Sequence, residues 1–205
     1  MARQHTNEVN AGSTADIAFL LLIFFLVTTT MKTDEGINRK LPPEQTDSTS
    51  LEIKERNLFK VLINAEGELL VQDKPMDIKN LKQATNAFLD NGAGTDRERC
   101  EYCKGAKDAL SSVNPVKAVI SVQADRLTKY ANYITVQNEL VAAYTTLRNR
   151  ESQRLYGISF LEMQENIENE SYKGNKAKLK KQMEIIKAMF PQKISEAEPS
   201  EAKVN

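Results

Sequence analysis

The chain has 205 residues, long enough for one core-bearing domain plus appendages but not comfortably for two. Lysine plus arginine equals aspartate plus glutamate at 28 each, and no basic stripe interleaved with aromatics is present, which excludes a nucleic-acid partner as the basis of function. The apolar residues are segregated into one dense N-terminal block and a strongly polar remainder, the pattern of one anchor and one soluble domain.

The block runs from Ala11 to Met31, 21 residues within an expected membrane segment 11–32. At about 1.5 Å per residue a helix of that length extends roughly 31 Å, one hydrocarbon core. Leu20 to Val27 offers no polar face, which excludes a helix lying on the membrane surface, and Thr28, Thr29 and Thr30 mark the exit. Only Arg3 and the amino terminus give the leading segment 1–10 positive charge, no small-x-small site follows Val27, and no cysteine follows the run for lipid attachment. An uncleaved anchor is therefore expected. Arg3 before it and Lys32, Arg39 and Lys40 after it leave its orientation open.

Asp16 stands at the head of the apolar run Ile17 to Val27. An ionised carboxylate deep in a membrane helix costs roughly 2.5–3.5 kcal/mol on insertion scales, so such groups usually face a protein interior or a water path. Low-dielectric surroundings favour the neutral carboxyl, which can then take up and release a proton. One chain cannot build that environment. Ala11, Gly12, Ser13, Ala15 and Ala18 would give the helix a narrow shoulder for packing in a bundle supplied by other chains. The alternative is that Asp16 caps a helix starting at Ile17, although Ile17 to Met31 alone would span only about 22 Å. Both readings stay open on the residues.

Segment 33–56, with Pro42 and Pro43, reads as a linker. From Asn57 the pattern changes: Phe59, Val61 and Ile63 alternate as a strand, and Ala65-Glu66-Gly67 turns it into a second, Leu69 to Gln72. Asp77 caps a helix carrying Ile78, Leu81, Ala84 and Phe88, which Asn91-Gly92 ends. Ala118, Ile120 and Val122 mark a third strand, and Tyr133, Val136, Leu140, Tyr144 and Leu147 one face of a second helix. Tyr156 to Met163 is expected as the last strand. The order β-β-α-β-α-β predicts an α+β domain over 57–164 with two helices on one face of a small mixed sheet. Asp125 suits a structural turn or cap better than a proton relay.

Cys100 and Cys103, in "CEYC", are the only cysteines. Zinc needs two further ligands and a thioredoxin-like site needs a strand-to-helix setting, neither of which the neighbouring residues supply. The only histidine, His5, is expected to be solvated. In 165–205, Leu179, Met183, Ile186 and Phe190 recur at helical spacing until Pro191, with Lys176, Lys178, Lys180 and Lys181 off the stripe. This helix would pack on its own domain or dock a partner. "SEAEPSEAKVN" at the end is expected to be disordered.

"STADIAFLLLIFFLVTTTM" followed by "GINRKLPP" at 36–43 resembles the start of the ExbD/TolR family, and "NLFKVLINAEGELLVQDKPMDIKNLKQATNAFL" and "KAVISVQADRLTKYANYITVQNELVAAYTTLR" resemble its hairpin, strand and helices. The resemblance implies a single-span inner-membrane protein with a cytoplasmic N-terminus and a periplasmic domain. It implies that Asp16 is the proton-carrying carboxylate, that Ser13, Ala15, Phe19 and Leu20 pack the pore helix, and that Leu41 and Pro42 form the partner segment outside the membrane. It further implies partners: a pentameric ExbB/TolQ-type channel holding two copies of this helix, and a TonB- or TolA-type protein that carries work to the outer membrane. The flagellar stator subunit has a similar helix, but nothing in 164–205 resembles its peptidoglycan-binding domain. The family pattern does not require an insertion at 91–115; in an oxidising periplasm a local disulfide between Cys100 and Cys103 is the favoured reading there, ahead of a redox role.

The leading expectation is a proton-driven energy-transduction subunit with no active site, cofactor or metal of its own. A membrane-tethered periplasmic binding or scaffold module competes with it and differs at Asp16, where it needs no titratable group. An anchored enzyme is the weakest alternative: the outer domain has no histidine, Ser-His-Asp set, Gly-rich phosphate loop or metal cluster.

Overall fold

The computed structural model describes residues 11–28 and 54–197. The chain divides into two compact units, Met1–Ser50 and Leu51–Asn205. Among the described residues of the first, a helix, α1, spans Ala11–Thr28, 18 residues. Among the described residues no helix is long and apolar enough to cross a membrane. As described, α1 measures about 27 Å along its axis, against about 30 Å of hydrocarbon. Thr29, Thr30 and Met31, which would complete the expected span, lie outside the described residues, as do His5, Leu41 and Pro42.

In the second unit the alternation of the sequence becomes a sheet. β1 (Leu58–Ile63) buries Phe59, Val61 and Ile63 and leaves Leu58, Lys60 and Leu62 half-buried on the other face. It pairs antiparallel with β2 (Leu69–Val71), Val61 opposite Val71. Their turn is fixed by Asn64, whose Oδ1 accepts from the Glu68 N–H at 2.7 Å, and by Gly67 at φ +90°.

The chain does not leave the sheet after β2, as the sequence suggests. It turns through Gln72 (φ +49°) and Asp73 (φ +62°) into a third strand, β3 (Lys74–Met76). Two successive positive φ angles make the two-residue turn whose twist matches a hairpin. β3 takes the sheet edge, where Pro75 withholds no needed donor.

Asp77 then caps α2 (Ile78–Leu89), accepting from the Lys79 N–H at 2.9 Å. Segment 90–118 returns the chain to the start of the sheet, and it is ordered by one amide. Asn91 Nδ2 donates to the carbonyls of Asp108 (2.9 Å) and Ser112 (2.8 Å), and its Oδ1 accepts from the Asp108 N–H at 2.9 Å. β4 (Val119–Ala124) follows and lies parallel to β1, with Ile120, Val122 and the preceding Ala118 buried.

α3 (Tyr130–Tyr156) is 27 residues long, and its inner stripe Val136, Leu140, Tyr144 and Leu147 joins Leu81, Phe88 and Leu89 of α2 over the buried sheet face. Both helices therefore lie on one face. The strand expected at Tyr156–Met163 is not formed. Gly157, at φ +70°, ends α3 in a left-handed residue, and Ser159 starts α4 (Phe160–Glu168) by accepting from the Glu162 N–H at 3.1 Å. Ser-x-x-Glu is a helix-start signature, and it outweighs the short apolar alternation of Tyr156, Ile158 and Phe160.

α5 (Lys176–Met189) is capped by Asn175 and packs Leu179, Met183 and Ile186 against Phe160 and Met163 of α4, a second small core. The fifth strand instead comes from the C-terminal segment: β5 (Ile194–Glu196) lies parallel to β4, Ile120 opposite Ile194. Ser195 and Glu196, expected in a disordered tail, are thus paired; residues 198–205 lie outside the described residues. The sheet order is β3-β2-β1-β4-β5.

Tyr144 is fully buried in the main core, and its hydroxyl accepts from the Lys193 N–H at 3.3 Å just before β5. Burial pushes its phenol from 10.0 up to about 12. A phenol that ionises later in the folded state than in the unfolded one stabilises the fold fully below pH 10 and loses that contribution as pH rises to about 12, some 3 kcal/mol in all. Urea unfolding followed across that window is expected to show this fall in the wild type and to show it reduced by about that amount in Tyr144→Phe.

Candidate functional site

α1 presents one carboxylate on an otherwise uncharged and largely apolar cylinder. The helix begins at Ala11 and has no acidic residue in its first turn, so Asp16 is an interior residue and not the cap of a helix starting at Ile17. At 100° per residue, Gly12, Ser13, Phe19, Leu20 and Ile23 share its face, and Ala15 flanks that stripe. Two small residues lie N-terminal to Asp16 on this face and large apolar ones C-terminal to it. The helix surface is therefore narrow on one side of the carboxylate and broad on the other.

Every described side chain of α1 is exposed. The set includes Ile17, Phe19, Leu20, Leu21, Leu22, Ile23, Phe24, Phe25 and Leu26, with exposures from 42% to 63%. These residues cover the full circumference, so no rotation of the helix hides its apolar surface in water. Such a helix belongs in an apolar medium or inside other helices.

The second unit holds its charges differently. Arg150 on α3 makes a paired contact with Asp90 at the end of α2, Nη1 to Oδ2 at 2.5 Å and Nη2 to Oδ1 at 2.8 Å. Its Nε donates to Glu151 Oε1 at 3.0 Å, and Arg154 Nε donates to Glu151 Oε2 at 2.6 Å. Glu151 is fully buried, so both of its oxygens are satisfied by guanidinium groups. The hydrogen bond to Asp90 raises the Arg150 pKa further, against the opposing effect of burial. The sequence reading missed this cluster. Its signal was Glu151 four residues after Leu147, a carboxylate continuing the inner stripe of α3.

Other expected positions take structural roles. Asp125 Oδ1 accepts from the Leu127 N–H at 2.8 Å, and its own N–H donates to the Ile63 carbonyl at 2.9 Å, a turn joining β4 to α3. Cys100 and Cys103 are joined by a disulfide. A shallow open groove at the end of the sheet brings Leu62, Leu70 and Met76 beside Glu68, Asp77 and Asp125, without a nucleophile and base in reach of each other. Among the described residues no group of three or more His, Cys, Asp or Glu is placed to hold a metal ion.

Residues 2–149 match the protein family described as Biopolymer transport protein ExbD/TolR, which is well over half of the chain and includes α1 with Asp16. No curated protein matches the sequence.

Removing Arg150 would leave Asp90 without its ion pair, keeping only the Lys104 N–H on Oδ1, and Glu151 with one guanidinium partner instead of two. Arg150→Met is expected to lower unfolding free energy by about 3 kcal/mol, read from the denaturant midpoint, as for other buried pairs broken from one side.

Proposed function

This chain belongs to the ExbD/TolR family of biopolymer transport proteins, and from that premise we propose that it is the proton-driven energy-transduction subunit of an inner-membrane motor of the ExbB-ExbD or TolQ-TolR type. The observation that carries the reading is the position of Asp16, inside an apolar helix and past its first turn.

In this reading α1, continued to Met31, crosses the inner membrane once, with residues 1–10 in the cytoplasm and the α+β unit in the periplasm. Two copies of the helix sit within a pentameric channel subunit. Ser13, Ala15, Phe19 and Leu20 pack against the channel wall and hold Asp16 on the water path. Leu41 and Pro42 lie in the segment that engages partners just outside the membrane.

The energetics suit a reversible carboxylate. An ionised group in the helix costs roughly 2.5–3.5 kcal/mol, and moving one charge through the membrane potential is worth about 2.3 kcal/mol per 100 mV. Protonation and deprotonation of Asp16 therefore change the helix's preferred surroundings by an amount comparable to what each proton delivers. Alternating between the two forms moves α1 within the channel. The periplasmic unit passes that movement to a TonB- or TolA-type protein, which acts at the outer membrane. No bond is made or broken in a substrate, and the role needs no cofactor.

Asp16→Asn keeps the size and hydrogen bonding of the side chain but cannot titrate. With insertion and co-purification of the channel subunit intact, proton-dependent outer-membrane uptake is expected to fall to background, while Asp16→Glu retains part of it. Full uptake by the asparagine variant would contradict the relay and favour a tethered scaffold.

A further inference from the structure

We propose that the Cys100–Cys103 disulfide is a reducible latch that holds the C-terminal strand β5 on the edge of β4. The loop closed by the disulfide is four residues long, and the residue between its cysteines that does the holding is Tyr102. The Tyr102 ring packs edge-on to Phe190 at 5.3 Å between centroids, and its hydroxyl donates to the Met189 carbonyl at 2.8 Å. Its own carbonyl accepts from Arg150 Nη2 at 3.3 Å. Arg148 completes the grip by donating to the Phe190 carbonyl from Nε and Nη2, at 3.1 and 2.7 Å.

Met189 and Phe190 belong to the C-terminal packing, and Lys193, whose N–H donates to the Tyr144 hydroxyl at 3.3 Å and whose Nζ donates to the Val116 carbonyl at 2.5 Å, leads on into β5. That strand has only three residues, and its entry is tied to β4 by the Ile120 N–H donating to the Lys193 carbonyl at 2.9 Å. At its far end Glu196 accepts from the Tyr133 hydroxyl. A strand so short depends on what precedes it, and Tyr102 is among the groups that clamp that segment, with Arg148 and Tyr144.

The disulfide has a purpose-shaped seat. Gly92 lies against it at φ +68°, and a Cβ there would come within 2.6 Å of Cys103 Cβ. The rest of the insertion is held without it. Downstream, Lys104 N–H donates to Asp90 Oδ1 at 3.2 Å and Gly105 N–H to the Asp90 carbonyl at 2.9 Å; upstream, Asn114 Nδ2 donates to the Glu98 carbonyl at 3.0 Å. Opening the bond therefore loosens the loop that carries Tyr102 and leaves the insertion in place.

The co-reactant is a protein dithiol. Cys100 is buried, at 7% exposure, whereas Cys103 is half-buried, so the incoming thiolate attacks Cys103 Sγ. A mixed disulfide forms there, the Cys100–Cys103 bond breaks, and Cys100 leaves as a thiolate that takes up a proton. The carrier's second thiolate then attacks its own sulfur in the mixed disulfide and releases Cys103, which is protonated in turn. Two electrons pass from the carrier, which becomes a disulfide, to the latch, which becomes two thiols.

The test is hydrogen exchange on the full-length protein in detergent, oxidised and then treated with reduced thioredoxin-type dithiol protein. Reduction is expected to speed exchange about tenfold at the Ile120 amide and over 192–197, with Val61, Val71 and α2 unchanged. Oxidised Tyr102→Phe, which keeps the ring and loses the hydroxyl bond, is expected to show a smaller rise at the same amides. Three results would overturn the latch: unchanged exchange after reduction, an equal rise across the whole sheet, or a folded protein whose disulfide the dithiol cannot open. Because the readout is local exchange and not uptake, failure here is distinguishable from failure of the proton relay.

Discussion

Six residue pairs, from Leu58 opposite Val119 to Ile63 opposite Ala124, join β1 and β4 in parallel at the centre of the sheet. A parallel pair cannot be closed by a tight turn; the chain must cross over from the end of one strand to the start of the next. Here the crossover is made by β2, β3, α2 and the long segment 90–118, and it places α2 over the face that Phe59, Val61, Ile120 and Val122 bury. α3 leaves the end of β4 and lies beside α2 on that same face. The second core between α4 and α5, and β5 beyond it, are built outward from this arrangement. The α+β unit, which the proposal places in the periplasm, is therefore a sheet with α2 and α3 packed together on its buried face.

The first unit, which the proposal places in the membrane, is built on the opposite principle. Where the α+β unit satisfies its buried charges internally, with Glu151 held between two arginines, α1 sets a single carboxylate among exposed apolar side chains. A carboxylate held between two guanidinium groups is fixed in position, which is what a structural site needs. A carboxylate that must gain and lose a proton cannot be locked in that way. The contrast between Glu151 and Asp16 separates the part of the chain that is fixed from the part proposed to cycle.

Much of this was legible in the residues. The alternation of Phe59, Val61 and Ile63, the cap at Asp77 and the inner stripe from Val136 to Leu147 are local patterns, and each became the expected element. β3 was not legible because its turn, Gln72-Asp73, lacks the Asn-Gly signature that normally marks two positive φ angles. β5 was hidden for a different reason: three residues carry no period, and its strand character comes from the edge of β4, some seventy positions earlier in the chain. At Tyr156–Met163 the signals conflicted, and Gly157 with Ser159 and Glu162 prevailed over the apolar alternation. For the candidate site, the place of Asp16 at the head of an apolar run was readable in the residues, whereas the packing roles of Ser13, Ala15, Phe19 and Leu20 are what the family resemblance implies. The surroundings of Asp16 were not readable, because in the proposed motor they are supplied by other chains.

The most direct measurement is modification of native membranes containing the assembled complex with a hydrophobic carbodiimide, mapped residue by residue. The reagent reaches carboxyls in an apolar medium and requires them to be protonated, the two properties the account assigns to Asp16. The account predicts an adduct on Asp16, absent from Asp16→Asn, with transport activity lost in proportion to its yield. Labelling confined to the exposed acids of the α+β unit, with Asp16 untouched, would contradict it.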